Sequence, residues 1–142
     1  PMLFADAISN DRPIKVFNHG NMSRDFTYVG DIVDGVIKVI ENSPYLALNA
    51  DTSVSKEQVR YKVYNIGANH PVQLLDFIET LEKALDKKAT KNFMDMQDGD
   101  VVSTYADVSG LIDDFGYKPD TSLEEGIGKF VKWYREFYGK GK

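Results

Sequence analysis

Arg24 is the residue whose type and position most directly suggest chemistry. It follows a turn-forming stretch, Asn18-His19-Gly20-Asn21, and opens an extended run to Val29 that leads into a helix. A guanidinium placed there can make paired, charge-assisted hydrogen bonds to a phosphate-type anion. The competing reading is a surface arginine paired with Asp25 or Asp31. Several other chemistries are excluded outright. The chain has no cysteine, which removes disulfides, thiolate nucleophiles and thiolate metal sites. Its two histidines, His19 and His70, show no ligand spacing. Seventeen basic against twenty-two acidic side chains leave a net charge of −5. That balance argues against nucleic acid or an anionic membrane as partner, since both need a basic face. A small anion held by one well-placed arginine remains compatible with it.

The elements that must position Arg24 read as a single α/β domain. With 142 residues, 42% of them apolar and 27% charged, the composition is that of an ordinary globular protein. Met2 to Asn10 reads as a short helix that ends in a turn at Pro13, and Ile14 to Phe17 as a strand. Ile32, Val33, Val36, Ile37 and Ile40 recur at helical spacing, with Asp31 in the first turn where the helix dipole favours it. Pro44 to Lys56 is patternless and reads as a surface loop. Tyr61 to Ile66 reads as a strand closed by Gly67. Leu74, Leu75, Ile78, Leu81 and Leu85 mark a helix behind Pro71, and Lys91 to Met96 a further strand. Asp107 can cap a short helix that Gly116 ends. Thr121 and Glu124 have the spacing of a capping box. They precede a helix with a stripe of Leu123, Ile127, Phe130, Val131, Tyr134, Phe137 and Tyr138. The expectation is a small mixed sheet with packed helices. No apolar run reaches bilayer length and Pro1 to Asp6 lacks signal-peptide features, so a cytoplasmic protein, or a piece of one, is expected.

Four stretches resemble one family, the extended short-chain dehydrogenase/reductases. They are Val16-Phe17-Asn18-His19-Gly20 with Arg24-Asp25-Phe26-Thr27-Tyr28-Val29-Gly30-Asp31-Ile32; Val63-Tyr64-Asn65-Ile66-Gly67 with Pro71-Val72; Met96-Gln97-Asp98-Gly99-Asp100-Val101 with Thr104-Tyr105-Ala106-Asp107-Val108; and Gly116-Tyr117-Lys118-Pro119 through Phe130-Val131-Lys132-Trp133-Tyr134. Their order and spacing match the C-terminal, substrate-binding part of a Rossmann-type, NAD-dependent nucleotide-sugar epimerase. The Met-Gln-x-Gly-Asp-Val version most resembles UDP-glucuronate 4-epimerases of surface (capsule) polysaccharide pathways. The resemblance implies that residues 1–142 are a nucleotide-sugar-binding domain, roughly the last two-fifths of such an enzyme. The N-terminal domain that binds NAD is then absent.

The resemblance also implies roles. Arg24 would hold the diphosphate, Asp100 would face the ribose hydroxyls, and the backbone at Lys15 and Phe17 would read the uracil edge. Gln97 stands where UDP-galactose epimerases carry a second phosphate-binding arginine; it gives up a charge, and Lys15 or His19 are the basic groups that could compensate. Asp100 reads equally as a solvated turn residue, and Phe17 as a core residue. No catalytic, cofactor-binding or metal-binding residue is expected. The family's glycine-rich cofactor loop has only a partial echo in Gly126-Ile127-Gly128, inside a helix. The one Y-x-x-x-K pair, Tyr138 to Lys142, lies in a tail expected to fray. In the family, a tyrosine takes the proton of the sugar 4-hydroxyl as NAD accepts hydride, and the 4-keto sugar is re-reduced on its other face. The chain alone is expected to be inactive. Its expected partners are a UDP-sugar and the missing Rossmann domain, and apolar faces left bare by that domain's absence would favour self-association or strand rearrangement. A non-catalytic nucleotide-sugar-binding module, and a dehydratase or decarboxylase of the same superfamily, are the alternatives.

Overall fold

Phe77, Ile78, Leu81 and Leu85 lie at helical spacing on one face, and all four are buried. The helix that carries them, Leu74–Leu85, organises the rest of the molecule. In the computed structural model, which describes residues 1–42 and 62–139, the order is α1 (Met2–Ser9), β1 (Ile14–Val16), a 3-10 turn (Phe17–Gly20), β2 (Ser23–Arg24) and α2 (Val29–Glu41). Beyond these come β3 (Val72–Gln73), α3 (Leu74–Leu85), β4 (Lys91–Phe93), α4 (Ser109–Phe115) and α5 (Leu123–Tyr138). The core forms where α3 packs on α1 and α5. Ala5 and Ile8 enter from α1, Ile14 and Val16 from β1, and Ile127, Val131 and Tyr134 from α5. Phe26 stacks on Phe77 with ring centroids 4.2 Å apart.

The expected α/β class holds, but the small mixed sheet is split in two. β1 pairs in parallel with β4, Ile14 opposite Lys91. β2 pairs antiparallel with β3, Ser23 opposite Gln73, and Ser23 bridges Ser103 on its other side. The split has a local cause. Asn18, His19 and Gly20 all take left-handed backbone angles, with φ of 47°, 51° and 86°, so the chain turns sharply between β1 and β2. The angle at Gly20 favours glycine, and a Cβ there would require the partly exposed Leu75 side chain, 2.8 Å away, to move.

Three local expectations change. Lys62 to Ile66 form no strand, and Tyr61 lies outside the described residues. A strand needs a ladder partner; this segment is held by side chains instead. Lys62 and Tyr64 both donate to the Asp114 carboxylate, and Asn65 Nδ2 donates to the Asp107 carbonyl at 3.2 Å. The helix start at α5 moves by one residue. Ser122 is the N-cap, its Oγ accepting from the Glu125 amide at 3.2 Å, because Thr121 Oγ1 donates to Asp31 at 2.6 Å. The strand expected through Met96 ends at Phe93. The caps expected for α4 are met in part: Gly116 closes the helix with φ of 59°, but the N-cap is Val108, without a side-chain cap bond, and Asp107, one residue further out, accepts from the Ser109 amide at 3.0 Å. The expected loop from Pro44 to Lys56, and Lys142 of the terminal Y-x-x-x-K, lie outside the described residues.

α2 is turned away from the core. Its buried residues are Asp31 and Gly35, while Val29, Val33, Val36, Ile37 and Ile40 are exposed. Gly35 is buried because Ile66 and the Tyr117 ring press against it. No helix among the described residues is long and apolar enough to cross a membrane.

Glu82 is the charged group at the heart of the helix packing, 3% exposed. Burial alone would raise its pKa, but donors from Lys91, Lys88 and the Ala89 amide outweigh burial and bring it from 4.5 to about 2. A carboxylate with a depressed folded-state pKa stabilises the fold above its unfolded value and loses that contribution as pH falls. The chain should therefore lose stability between about pH 5 and pH 2 by a process that Glu82→Gln removes. At neutral pH, Glu82→Gln should cost about 2 kcal/mol in urea unfolding. Superimposable pH–stability curves for the two proteins would contradict this assignment.

Candidate functional site

Arg24 ends β2, whose neighbour on either side fixes its direction. The Ser23 amide donates to the Val102 carbonyl at 2.9 Å, and the Thr104 amide to the Ser23 carbonyl at 3.3 Å. The two serine hydroxyls, of Ser23 and Ser103, are bonded at 2.7 Å. This stitching brings the 100–104 stretch alongside Arg24. Its Nη1 donates to the Ser23 and Val102 carbonyls at 2.9 and 3.3 Å. Its Nη2 donates to Asp100 Oδ1 at 2.6 Å. The guanidinium is thus oriented, and about a quarter of the side chain stays exposed.

The carboxylate that Arg24 pairs with is Asp100, not Asp25 or Asp31, which are engaged elsewhere. Asp25 accepts from the amides of Asn69, His70 and Ala106 at 3.2, 3.3 and 3.0 Å. Its own amide donates to Thr104 Oγ1 at 3.1 Å. Asp31 takes the amide and hydroxyl of Thr121, and its carbonyl accepts from the Tyr117 hydroxyl at 2.7 Å. Burial first, then the Asp31, Asp34 and Asp120 carboxylates, push the Tyr117 phenol up, so it remains a donor at neutral pH.

A cavity of about 410 Å³ opens beside the Arg24–Asp100 pair, with Lys15, Phe17, Phe4 and Leu74 among its lining residues. Four of the five residues expected from sequence therefore meet in one place. β1 contributes an edge as well as side chains. The Ile14 amide donates to the Thr90 carbonyl and the Val16 carbonyl accepts from the Met94 amide, so these residues face β4. Alternation along the ladder turns the polar backbone groups of Lys15 to the opposite edge. Gln97 does not line the cavity. It is exposed at the start of the turn in which the Asp100 amide donates to its carbonyl at 3.1 Å, with Gly99 at φ of 80°. His19 also lies apart, its Nε2 3.0 Å from Asp95 Oδ1.

This arrangement suits an anion next to a hydroxyl-bearing group, and among the described residues no tyrosine lines it as a base for proton abstraction. Tyr64 beside Lys62 is not such a base: its bond to Asp114 raises its pKa. No cluster of potential metal ligands occurs among the described residues. Asp25 is the functional residue that spacing does not reveal. Its only signal is its place inside the Arg24-Asp25-Phe26-Thr27 motif, because its partners lie more than forty positions away.

The fold and this site together define a class. The sequence profile of the GDP-mannose 4,6 dehydratase family matches residues 2–130, and the chain belongs to that family, within the extended short-chain dehydrogenase/reductases, as their C-terminal portion. Protein CapI of Staphylococcus aureus is 49% identical over 96% of the chain and 42% of its own length. A probable UDP-glucuronate 4-epimerase of Rhizobium meliloti is 40% identical over 95% of the chain and 41% of its own length. A UDP-glucuronic acid 4-epimerase of Bacillus cereus, in complex with UDP-glucuronic acid and NAD, superposes with a TM-score of 0.77 at 30% identity, over 95% of this chain and 39% of that one. The chain thus spans about two-fifths of the length of these relatives.

Replacing Asp25 by alanine should leave the amides of Asn69, His70 and Ala106 without their acceptor and cost about 3 kcal/mol of stability. Hydrogen exchange should accelerate at those three amides first. Unchanged protection there would remove Asp25 as the clamp.

Proposed function

We propose that this chain is the UDP-sugar-binding portion of an NAD-dependent nucleotide-sugar epimerase that interconverts UDP-glucuronate and UDP-galacturonate. The observation that carries the reading is the Arg24–Asp100 pair at 2.6 Å on the wall of one cavity. A nucleoside diphosphate presents an anion adjacent to a vicinal diol, and these two side chains match those groups in that order. On binding, Arg24 turns from the Asp100 carboxylate to the diphosphate oxygens, keeping its carbonyl contacts as a fixed stem. Asp100, released, accepts from the ribose hydroxyls. The open edge of β1 at Lys15 and Phe17 takes the uracil, and Gln97 donates an amide hydrogen from the neighbouring turn. The surface-polysaccharide context rests on the resemblance alone.

The described residues of this chain offer no loop that fits the NAD pyrophosphate. Gly126 and Gly128 lie within α5, flanking the buried Ile127, not at a strand-to-helix turn where a pyrophosphate can meet free amides. The cofactor, and the groups that move the proton at the sugar, belong in this reading to an N-terminal domain of a longer protein. A dehydratase remains the second reading, since the matching profile is named for one. The coding sequence upstream of Pro1 divides them: both readings require a glycine-rich loop and a Y-x-x-x-K pair, and a dehydratase adds acidic residues beside the tyrosine.

Titrated calorimetrically into the full-length protein, UDP should bind Arg24→Ala about 10- to 100-fold more weakly than the parent, the loss of a charge-assisted contact. Equal affinity would refute the phosphate role. Gln97→Arg should tighten UDP by restoring a charge; an unchanged constant would place Gln97 away from the diphosphate.

A further inference from the structure

Among the residues lining the cavity beside β2, Arg24, Asp100 and Lys15 carry charge. Two of these cancel, because Arg24 Nη2 is bonded to Asp100 Oδ1 at 2.6 Å. The same carboxylate oxygen accepts from the Val101 amide at 2.9 Å, so Asp100 is held against Arg24 by its own backbone. An anion approaching this wall meets a neutral pair before Arg24 is free to receive it. Lys15 is the charge left over. Its side chain is exposed, alternating along β1 with the buried Ile14 and Val16, and no described residue pairs with its ammonium.

The other basic groups on the segments around β1 are already neutralised. Arg12 pairs with Asp6, Lys87 with Asp11 and Lys91 with Glu82. His19, the other group suited to replace the charge missing at Gln97, is bonded to Asp95. Neither His19 nor Gln97 lines the cavity. We propose that the Lys15 ammonium is the second cation for the diphosphate. One residue then serves the nucleotide twice, with its backbone at the uracil edge and its side chain at the phosphates. This inference rests on the UDP-sugar reading of the cavity.

The chemistry of the step suits a lysine. Its ammonium is a compact charge on a flexible stem, with no planar fork to align. It follows the anion inward while Arg24 keeps its two carbonyl anchors. An unpaired cation on the wall also attracts the anion before the Asp100 carboxylate has been displaced.

The test compares UDP with uridine, which has the same base and ribose and lacks the phosphates. In the full-length protein, Lys15→Met should weaken UDP roughly tenfold, the loss of one charge-assisted contact. Uridine should bind as before, because the backbone of residue 15 remains. Lys15→Arg, which keeps the charge, should retain most of the UDP affinity. Added salt should weaken UDP less in the methionine variant than in the parent. Lys15→Gln covers a methionine variant that aggregates, with the same expected loss. Unchanged UDP affinity in the variants that remove the charge overturns the proposal. An equal loss for UDP and uridine also overturns it, because the lysine stem would then be a contact for the base.

Arg24→Ala separates the two conclusions. If that variant loses UDP affinity and Lys15→Met does not, the lysine role falls and the UDP-sugar reading stands. If Arg24→Ala binds UDP as the parent does, the reading falls and the lysine role falls with it.

Discussion

The Asp25 carboxylate gathers the parts of this molecule that would otherwise be separate loops. It accepts from backbone amides at 69, 70 and 106, so the segment before β3 and the segment after the Asp100 turn are fixed to the residue beside Arg24. Backbone amides are obligatory donors. When one acceptor satisfies three of them, the loops that supply them lose the freedom to move independently. Arg24 is consequently presented with its carbonyl anchors and the cavity wall already in place. Fixed anchors of this kind lower what a ligand must lose in ordering its site, even though a bound anion has to displace the Asp100 carboxylate.

Asp31 does for the helices what Asp25 does for the loops. Lying in the first turn of α2, it ties the 117–121 segment to that helix through the Thr121 amide and hydroxyl. The Tyr117 hydroxyl adds a bond to its carbonyl. Two pieces of one short motif, Arg24-Asp25 and Gly30-Asp31, therefore tie down segments from both later thirds of the chain. The core beneath, built on α3, supplies burial but little direction; the carboxylates supply direction.

This division explains how much of the structure was legible in the sequence. Helical stripes declare themselves because burial repeats every three or four residues, and α3 and α5 form where expected, although Leu75, Phe137 and Tyr138 of those stripes are exposed. α2 was legible as a helix, but its stripe faces outward, since periodicity reports amphipathicity and not the identity of the partner. The strands were poorly legible: β2 and β3 are two residues each, too short for alternation to register. Lys62 to Ile66 alternate like a strand without a ladder among the described residues to join. Arg24 was chemically suspect from its neighbours. Asp100, Lys15 and Phe17 were placed beside it only by family resemblance, and the structure brings all four to one cavity. Gln97, placed by the same resemblance, stands outside it. The α5 cap shifts by one residue because local spacing cannot show that a distant buried carboxylate competes for the Thr121 hydroxyl.

Gly20 illustrates a different kind of restriction, one that acts on substitution and not on motion. Its backbone angle, φ of 86°, strains any side chain for a reason internal to the residue. A Cβ would also meet the Leu75 side chain, but Leu75 is 40% exposed and can move aside. The two restrictions differ in kind: the spatial one yields to a neighbour's rotation, while the angular one persists whatever the neighbours do. Substitution at this turn is therefore limited by the backbone, and β1 and β2 inherit that geometry.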